Sequence, residues 1–296
     1  MRSIVLVVNP FASRVTPERL EAVERELARA GQLTVARTER PHHATELVRA
    51  ACADGCDAVV VFSGDGGFNE ALNGVDGRVP IGFLPGGGTS VLSRALGLPA
   101  EPVTAAAQIA NSLVHDRVRR ITLGRVNGRR FAFAAGIGLD AEAVRRVDEL
   151  GRRADGKRPG DLAFALAVVR SLGSHGMHLE PALEVRGLGR AACAFIANGA
   201  PYTYAKGIPV PIAPEADFEL GLDLVAPVRI RRRSLLRLAY SLLTGRGRSG
   251  LLYAHDVDRL EVSCDRPMPL QVDGEDLGDV QEALFEAERG AVAVLV

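Results

Sequence analysis

AVVVFSGDGGFNEALNGV, residues 58–75, decides how this 296-residue chain is read. Its first five residues, 58–62, are apolar without a break, which suits a parallel strand buried on both faces. Ser63-Gly64-Asp65-Gly66-Gly67 follows at once, and a helix is predicted to begin near Asn69. A glycine-rich turn between a buried strand and a helix lets the backbone approach a phosphate. Amide N–H groups and the helix N-terminus supply positive potential there. Tight strand-to-helix turns also use glycine for conformational reasons alone. Asp65 is more informative, because a carboxylate repels a bare phosphate. It fits magnesium binding, proton acceptance or the ordering of the turn.

Working outward, residues 3–8 form another β-branched apolar run, and Thr16-Pro17 reads as a helix N-cap followed by proline at the first helical position. Helical spacing covers 19–30, a strand 33–38 and a second helix 43–54. Strand and helix alternating in this way predict βαβ units and a parallel sheet. Downstream, IGFLPGGGTSVLSRALGLP (81–99) repeats the arrangement, with Pro85-Gly86-Gly87-Gly88-Thr89-Ser90 between a strand at 81–84 and a helix at 91–96. Two such loops after neighbouring parallel strands converge at the carboxyl edge of the sheet, where open α/β folds bind ligands. A helix at 102–114 closes this region. From Arg120 onward short alternating segments predict antiparallel strands, interrupted by helices at about 161–172 and 233–243.

Composition narrows the partners. The 36 basic and 36 acidic residues cancel, which gives no argument for a nucleic-acid partner. Cys52, Cys56, Cys193 and Cys264 have no spacing that completes a metal site, and they read as small buried thiols in a reducing compartment. The apolar run before Asn9-Pro10 is too short for a signal peptide, and a spanning helix needs about 20 apolar residues, so a cytoplasmic protein is expected. Arginines at 229 and 231–233, with Arg246 and Arg248, flank an apolar helical stretch; Arg152, Arg153, Lys157 and Arg158 form a second cluster. Either could draw the protein to an anionic membrane surface, or be solvated arginines in an arginine-rich chain.

Asn9-Pro10, the two glycine-loop segments, Gly136-Ile137-Gly138-Leu139-Asp140 and Val272-Asp273-Gly274-Glu275 together resemble the ordered motifs of the diacylglycerol kinase catalytic domain, whose superfamily includes sphingosine and ceramide kinases. The resemblance spans essentially the whole chain. It implies an α/β fold in two domains, a Rossmann-like parallel nucleotide-binding domain and a mainly antiparallel β-rich lipid-binding domain, with the ligand cleft between them. The last segment would return to the first domain, giving 1–121 plus 278–296 and 122–277. ATP and Mg2+ are the implied cofactors. A lipid at the inner membrane surface, met by peripheral contact, is the implied partner, and a homodimer is left open.

Carried over residue by residue, Asn9, Pro10 and Thr38 would lie by the nucleotide. Ser63, Gly64, Asp65, Gly66, Gly67, Asn69 and Glu70 would wrap the phosphates, with Gly87, Gly88 and Thr89 from the second loop. Asp273 and Glu275 match an acidic pair that supplies the general base; two apart on an extended segment, they are expected to share a side. Asp65 is the alternative base. Asp217 and Glu219 match a metal-binding loop. The chain departs from the family pattern in carrying Ser63 and Gly67 where the first loop usually has glycine and threonine, Gly88 and Ser90 where the second usually has threonine and asparagine, and Glu219-Leu220 for Asp-Gly. The lost hydroxyl predicts that Gly67→Thr would raise lipid phosphorylation. A non-catalytic nucleotide or lipid binder, and a kinase of a small soluble acceptor, are the competing readings.

Overall fold

The computed structural model describes residues 1–149, 161–205, 208–210, 212–244 and 246–296. The chain divides into two compact units, Met1–Thr122 with Gly290–Val296, and Leu123–Arg289.

The first unit is a parallel sheet with helices. Its elements are β1 (Ser3–Val8), α1 (Pro17–Ala28), β2 (Gln32–Arg37), α2 (His43–Ala53), β3 (Ala58–Ser63), α3 (Asp65–Leu72), β4 (Ile81–Pro85), α4 (Val91–Ala95) and α5 (Pro102–Val114). The strand order is β4-β3-β1-β2, all parallel, and Val294 near the carboxyl terminus pairs in parallel with Ile81. Every residue of β3 and β4 is buried, as their unbroken apolar runs require. Burying each Val, Leu, Ile or Phe contributes about 1.5–3 kcal/mol before the entropy of ordering is subtracted. Thr16 caps α1 through its Oγ1, which accepts from the Arg19 N–H at 3.3 Å, and Pro17 occupies the first helical turn.

The helix after the first glycine motif starts at Asp65, four residues earlier than the sequence reading placed it. Gly64 alone makes the strand-to-helix turn, so Asp65, Gly66 and Gly67 form the first helical turn rather than a loop.

The second unit is β-rich and mainly antiparallel. It contains the end of β5 (Val118–Val126), then β6 (Arg129–Phe131), β7 (Ala134–Ile137), α6 (Leu139–Glu149), α7 (Asp161–Ser174), β8 (Leu183–Val185), β9 (Ala194–Ala197), β10 (Leu222–Pro227), α8 (Leu235–Thr244), β11 (Leu251–Val257), β12 (Arg259–Val272) and most of β13 (Glu275–Leu295). Shorter strands accompany them. The ladder runs β11-β10-β9-β7-β12-β13, antiparallel throughout. Its core is made by inward residues of these strands, among them Phe131, Ile137, Ile196, Leu224, Val272 and Phe285.

Helix α6 was not expected. Its buried face (Leu139, Ala143, Val144, Val147) follows helical spacing, and Asp140 and Glu142 stand in the first turn, where a helix favours acidic groups. The motif 136–140 drew attention to its glycines and hid the helix behind them. The cluster Arg152, Arg153, Lys157 and Arg158 lies outside the described residues. All four cysteines are free, and burial pushes the Cys56 and Cys264 thiols up to about 11. Among the described residues no helix is long and apolar enough to cross a membrane.

Candidate active site

Four adjacent parallel strands end at one edge of the first unit, and the expected nucleotide residues follow them. The Asn9 N–H, after β1, donates to the Phe62 carbonyl at 3.0 Å, and the Thr38 N–H, after β2, donates to the Val8 carbonyl at 2.8 Å. Asn9 Oδ1 accepts from the Phe11 N–H at 3.0 Å, which shapes the exposed turn at Pro10. The two glycine segments, after β3 and β4, are bonded directly to each other: the Gly86 N–H donates to the Ser63 carbonyl at 2.7 Å. The Arg14 N–H adds a third segment by donating to the Gly86 carbonyl at 2.9 Å. A recess of about 400 Å³ adjoins this edge, lined by Val8, Pro10, Thr16, Leu20, Glu24 and Arg37 among others.

Glycine has different reasons at different positions. A Cβ on Gly87 would lie 2.9 Å from the Gly64 Cα, and one on Gly86 the same distance from the Ser63 carbonyl oxygen. Those two are needed so that the loops can touch backbone to backbone. Gly66 and Gly88 are exposed, and a Cβ on either would meet nothing within 4 Å. The open space over them, beside the backbone N–H groups of the first turn of α3, has the character of an anion cradle. Thr89 is half-buried at its rim.

Asp65 joins the loops. Its Oδ1 accepts from the Leu92 N–H at 3.1 Å, so the carboxylate caps the short helix of the second segment. Ser90, at that helix's N-cap, has a left-handed φ of 48° and makes no side-chain cap of its own. Two other expected phosphate residues hold the scaffold. Asn69 is buried within α3 and bonded to Asn73. Glu70 accepts from the Ala44 N–H at 3.3 Å, at the start of α2, whose N-cap His42 gives no side-chain bond.

The expectation for Gly67 meets a steric obstacle. A Cβ there would stand 2.8 Å from the Ser63 Cβ and closer still to its hydroxyl, so Gly67→Thr collides instead of restoring a lost contact.

In the second unit, the acidic pair is not two positions on an extended segment. Asp273 and Gly274 are the two central residues of the β12–β13 hairpin, with φ of 47° and 80°, and Val272 pairs with Glu275 across them. This is the geometry that favours Asp-Gly in two-residue hairpins. The Asp273 carboxylate is buried and accepts from the backbone N–H groups of Ala132, Phe133 and Ala134 at 2.6, 3.0 and 3.1 Å. Those bonds make it the anchor of the turn. Glu275 leaves the turn on another course and pairs with Arg129 at 2.9 Å, with 40% of its side-chain surface open to solvent. Arg145 holds the next residue, Asp276, at 2.8 Å and Asp279 at 2.7 Å.

Behind the hairpin lies a buried group that sequence reasoning missed. Asp140 Oδ2 accepts from the Tyr202 hydroxyl at 2.6 Å and from Gln271 Nε2 at 2.5 Å, while Gln271 Oε1 accepts from the Gly274 N–H at 2.9 Å. Asp140 was in view only as the end of a motif, and nothing in the sequence joins it to Gln271. Burial pushes the Asp140 carboxyl above the usual carboxylate range, with Tyr202 and Gln271 pulling the other way. A carboxyl raised on folding contributes stability that is present at low pH and lost as pH rises through its folded value. Asp140→Asn should therefore gain stability relative to wild type as pH rises from acid to neutral, measured by urea unfolding. A stability difference independent of pH would contradict this.

Asp217 and Glu219 stand exposed in one turn, where the Glu219 N–H donates to Asp217 Oδ1 at 2.9 Å. Among the described residues no three His, Cys, Asp or Glu side chains stand together as a metal cage. Magnesium is commonly held by one or two carboxylates, with phosphate oxygens and water completing the shell, and the two present fit that pattern.

The fold is shared with solved structures. A diacylglycerol kinase from Bacillus anthracis matches 99% of this chain and 96% of its own at a TM-score of 0.73 and 18% identity. An NAD kinase from Archaeoglobus fulgidus, solved in complex with ATP, shares the fold more distantly, with a TM-score of 0.52 and 14% identity over 99% of this chain and 93% of its own. In sequence, the profile of the diacylglycerol kinase catalytic domain matches residues 3–126, and that of the YegS C-terminal NAD kinase beta sandwich-like domain matches 134–296. A diacylglycerol kinase of Mycobacterium tuberculosis is 30% identical over 240 residues, 78% of this chain and 72% of its own. One from Bacillus subtilis is 27% identical over 295 residues, 93% and 90% of the two chains. The chain belongs to the diacylglycerol kinase family.

Proposed function

We propose that this protein transfers the γ-phosphoryl group of ATP to a lipid hydroxyl. The observation that carries the reading is the pair of mutually bonded glycine segments, with open space over Gly66 and Gly88 at the ends of adjacent parallel strands. Phosphoryl transfer asks a protein mainly for positioning and charge neutralisation, and backbone N–H groups at a helix start supply both. Asp65 fixes the two segments relative to each other. Magnesium, when bound, would offset phosphate charge, with Asp217 and Glu219 as its carboxylate ligands. Within the acidic pair Glu275 is the proposed acceptor of the hydroxyl proton, because the Asp273 oxygens are committed to backbone donors while Glu275 is partly open to solvent.

A lipid acceptor is favoured by the surface of α8. Leu236 and Tyr240, one helical turn apart, are 89% and 53% exposed. Arg232, Arg233 and Arg237 are exposed on and beside the same helix. Each basic side chain near an anionic bilayer contributes about 1 kcal/mol of attraction.

ATP with magnesium should raise the melting temperature, since ligand at a hundredfold excess over its Kd adds about 2.7 kcal/mol. Asp65→Ala should remove most of that shift, and labelled ATP should mark a lipid in extracted lipid mixtures. An ATP shift unchanged in Asp65→Ala would place the nucleotide elsewhere. Label appearing only on a soluble alcohol would replace the lipid acceptor.

A further inference from the structure

We infer that positions 63 and 67 share a single space in the first glycine segment, and that Ser63 positions that segment by filling it. The Ser63 side chain is 2% exposed, and its hydroxyl is buried without a hydrogen-bond partner. It lies under the first turn of α3, where a Cβ on Gly67 would approach the Ser63 Cβ to 2.8 Å and its hydroxyl more closely. Real Cβ atoms do not come that close to a neighbouring carbon.

The backbone at 67 is not in the left-handed region, and among the described residues a Cβ there would meet only the Ser63 side chain within 4 Å. Glycine inside a helix is disfavoured, so the chain retains a weakening residue that its neighbour explains. Gly66, one residue earlier, has open space instead, so the crowding is local to 67. The reverse arrangement, glycine at 63 and threonine at 67, obeys the same rule of one side chain in the space. The two positions therefore exchange as a pair and not singly. This deepens the nucleotide-site reading and rests on it only where ATP is the probe.

The experiment compares wild type, Gly67→Thr, Ser63→Gly and the double variant, each measured for melting temperature without ligand and for ATP affinity with magnesium below the melting point. Gly67→Thr should melt lower than wild type and bind ATP at least tenfold more weakly. Ser63→Gly should show a smaller loss of stability. The double variant should recover the wild-type melting temperature to within a few degrees and the ATP affinity to within about threefold. Gly67→Thr with wild-type stability and affinity, or a double variant no better than Gly67→Thr, would overturn the proposal. If Gly67→Thr does not fold, the same comparison with Gly67→Ala decides. Recovery of stability with no ATP binding by any protein, wild type included, would sustain the shared space and remove the nucleotide reading.

Discussion

Glu275→Gln should lower phosphoryl transfer by about 10²–10⁴-fold, the usual contribution of a positioned base, and leave the melting temperature close to wild type. Glu275 stands at the surface with Arg129 as its partner, so the amide keeps shape and part of the pairing while losing charge and basicity. Asp273→Asn should behave differently. Its carboxylate receives three backbone N–H groups, and an amide has one acceptor oxygen and would turn its own N–H groups toward the remaining donors. Losing such bonds to a charged acceptor costs about 2–3 kcal/mol, which lowers the melting temperature of a domain this size by roughly 5–10 °C. The two variants thus separate a chemical carboxylate from a structural one. Full turnover in Glu275→Gln would move the base to Asp65. An unchanged melting temperature in Asp273→Asn would mean that the three bonds are not holding the hairpin.

The glycines offer a second contrast. Gly87→Val should disrupt the apposition of the two segments, because its Cβ would meet the Gly64 backbone at 2.9 Å and no side chain is there to yield. Overpacking of this kind costs about 1–3 kcal/mol, so a lowered melting temperature should accompany loss of nucleotide binding. Gly88→Val projects into open space. The unliganded protein should therefore melt within about 0.5 kcal/mol of wild type, as surface substitutions do. Its ATP-induced shift should nevertheless vanish, because the new side chain fills the phosphate space. A full ATP shift in Gly88→Val would show that the nucleotide does not use this cradle.

How much of this could be read before folding depended on the range of the interactions. Buried parallel strands, the Thr16-Pro17 helix start and the glycine turns are written in neighbouring residues, because burial pattern, capping and backbone freedom act over a few positions. The change to antiparallel strands after residue 120 was legible for the same reason. Helix α6 carried a local signal too, its apolar spacing after Gly138, which the glycine motif obscured.

What each polar side chain does was another matter, because its partners lie far along the chain. Asp273 meets backbone donors 139 to 141 residues away, Glu275 meets Arg129 at a separation of 146, and Gln271 reaches Asp140 at 131. Strand register and helix packing set those meetings, and they separate the anchoring acid from the accessible one within a single Asp-Gly-Glu motif. Gly67 makes the same point at short range. Its sequence position suggested a missing hydroxyl, but the Ser63 side chain occupies the volume that hydroxyl would need, and excluded volume becomes visible only when strand and helix are packed together.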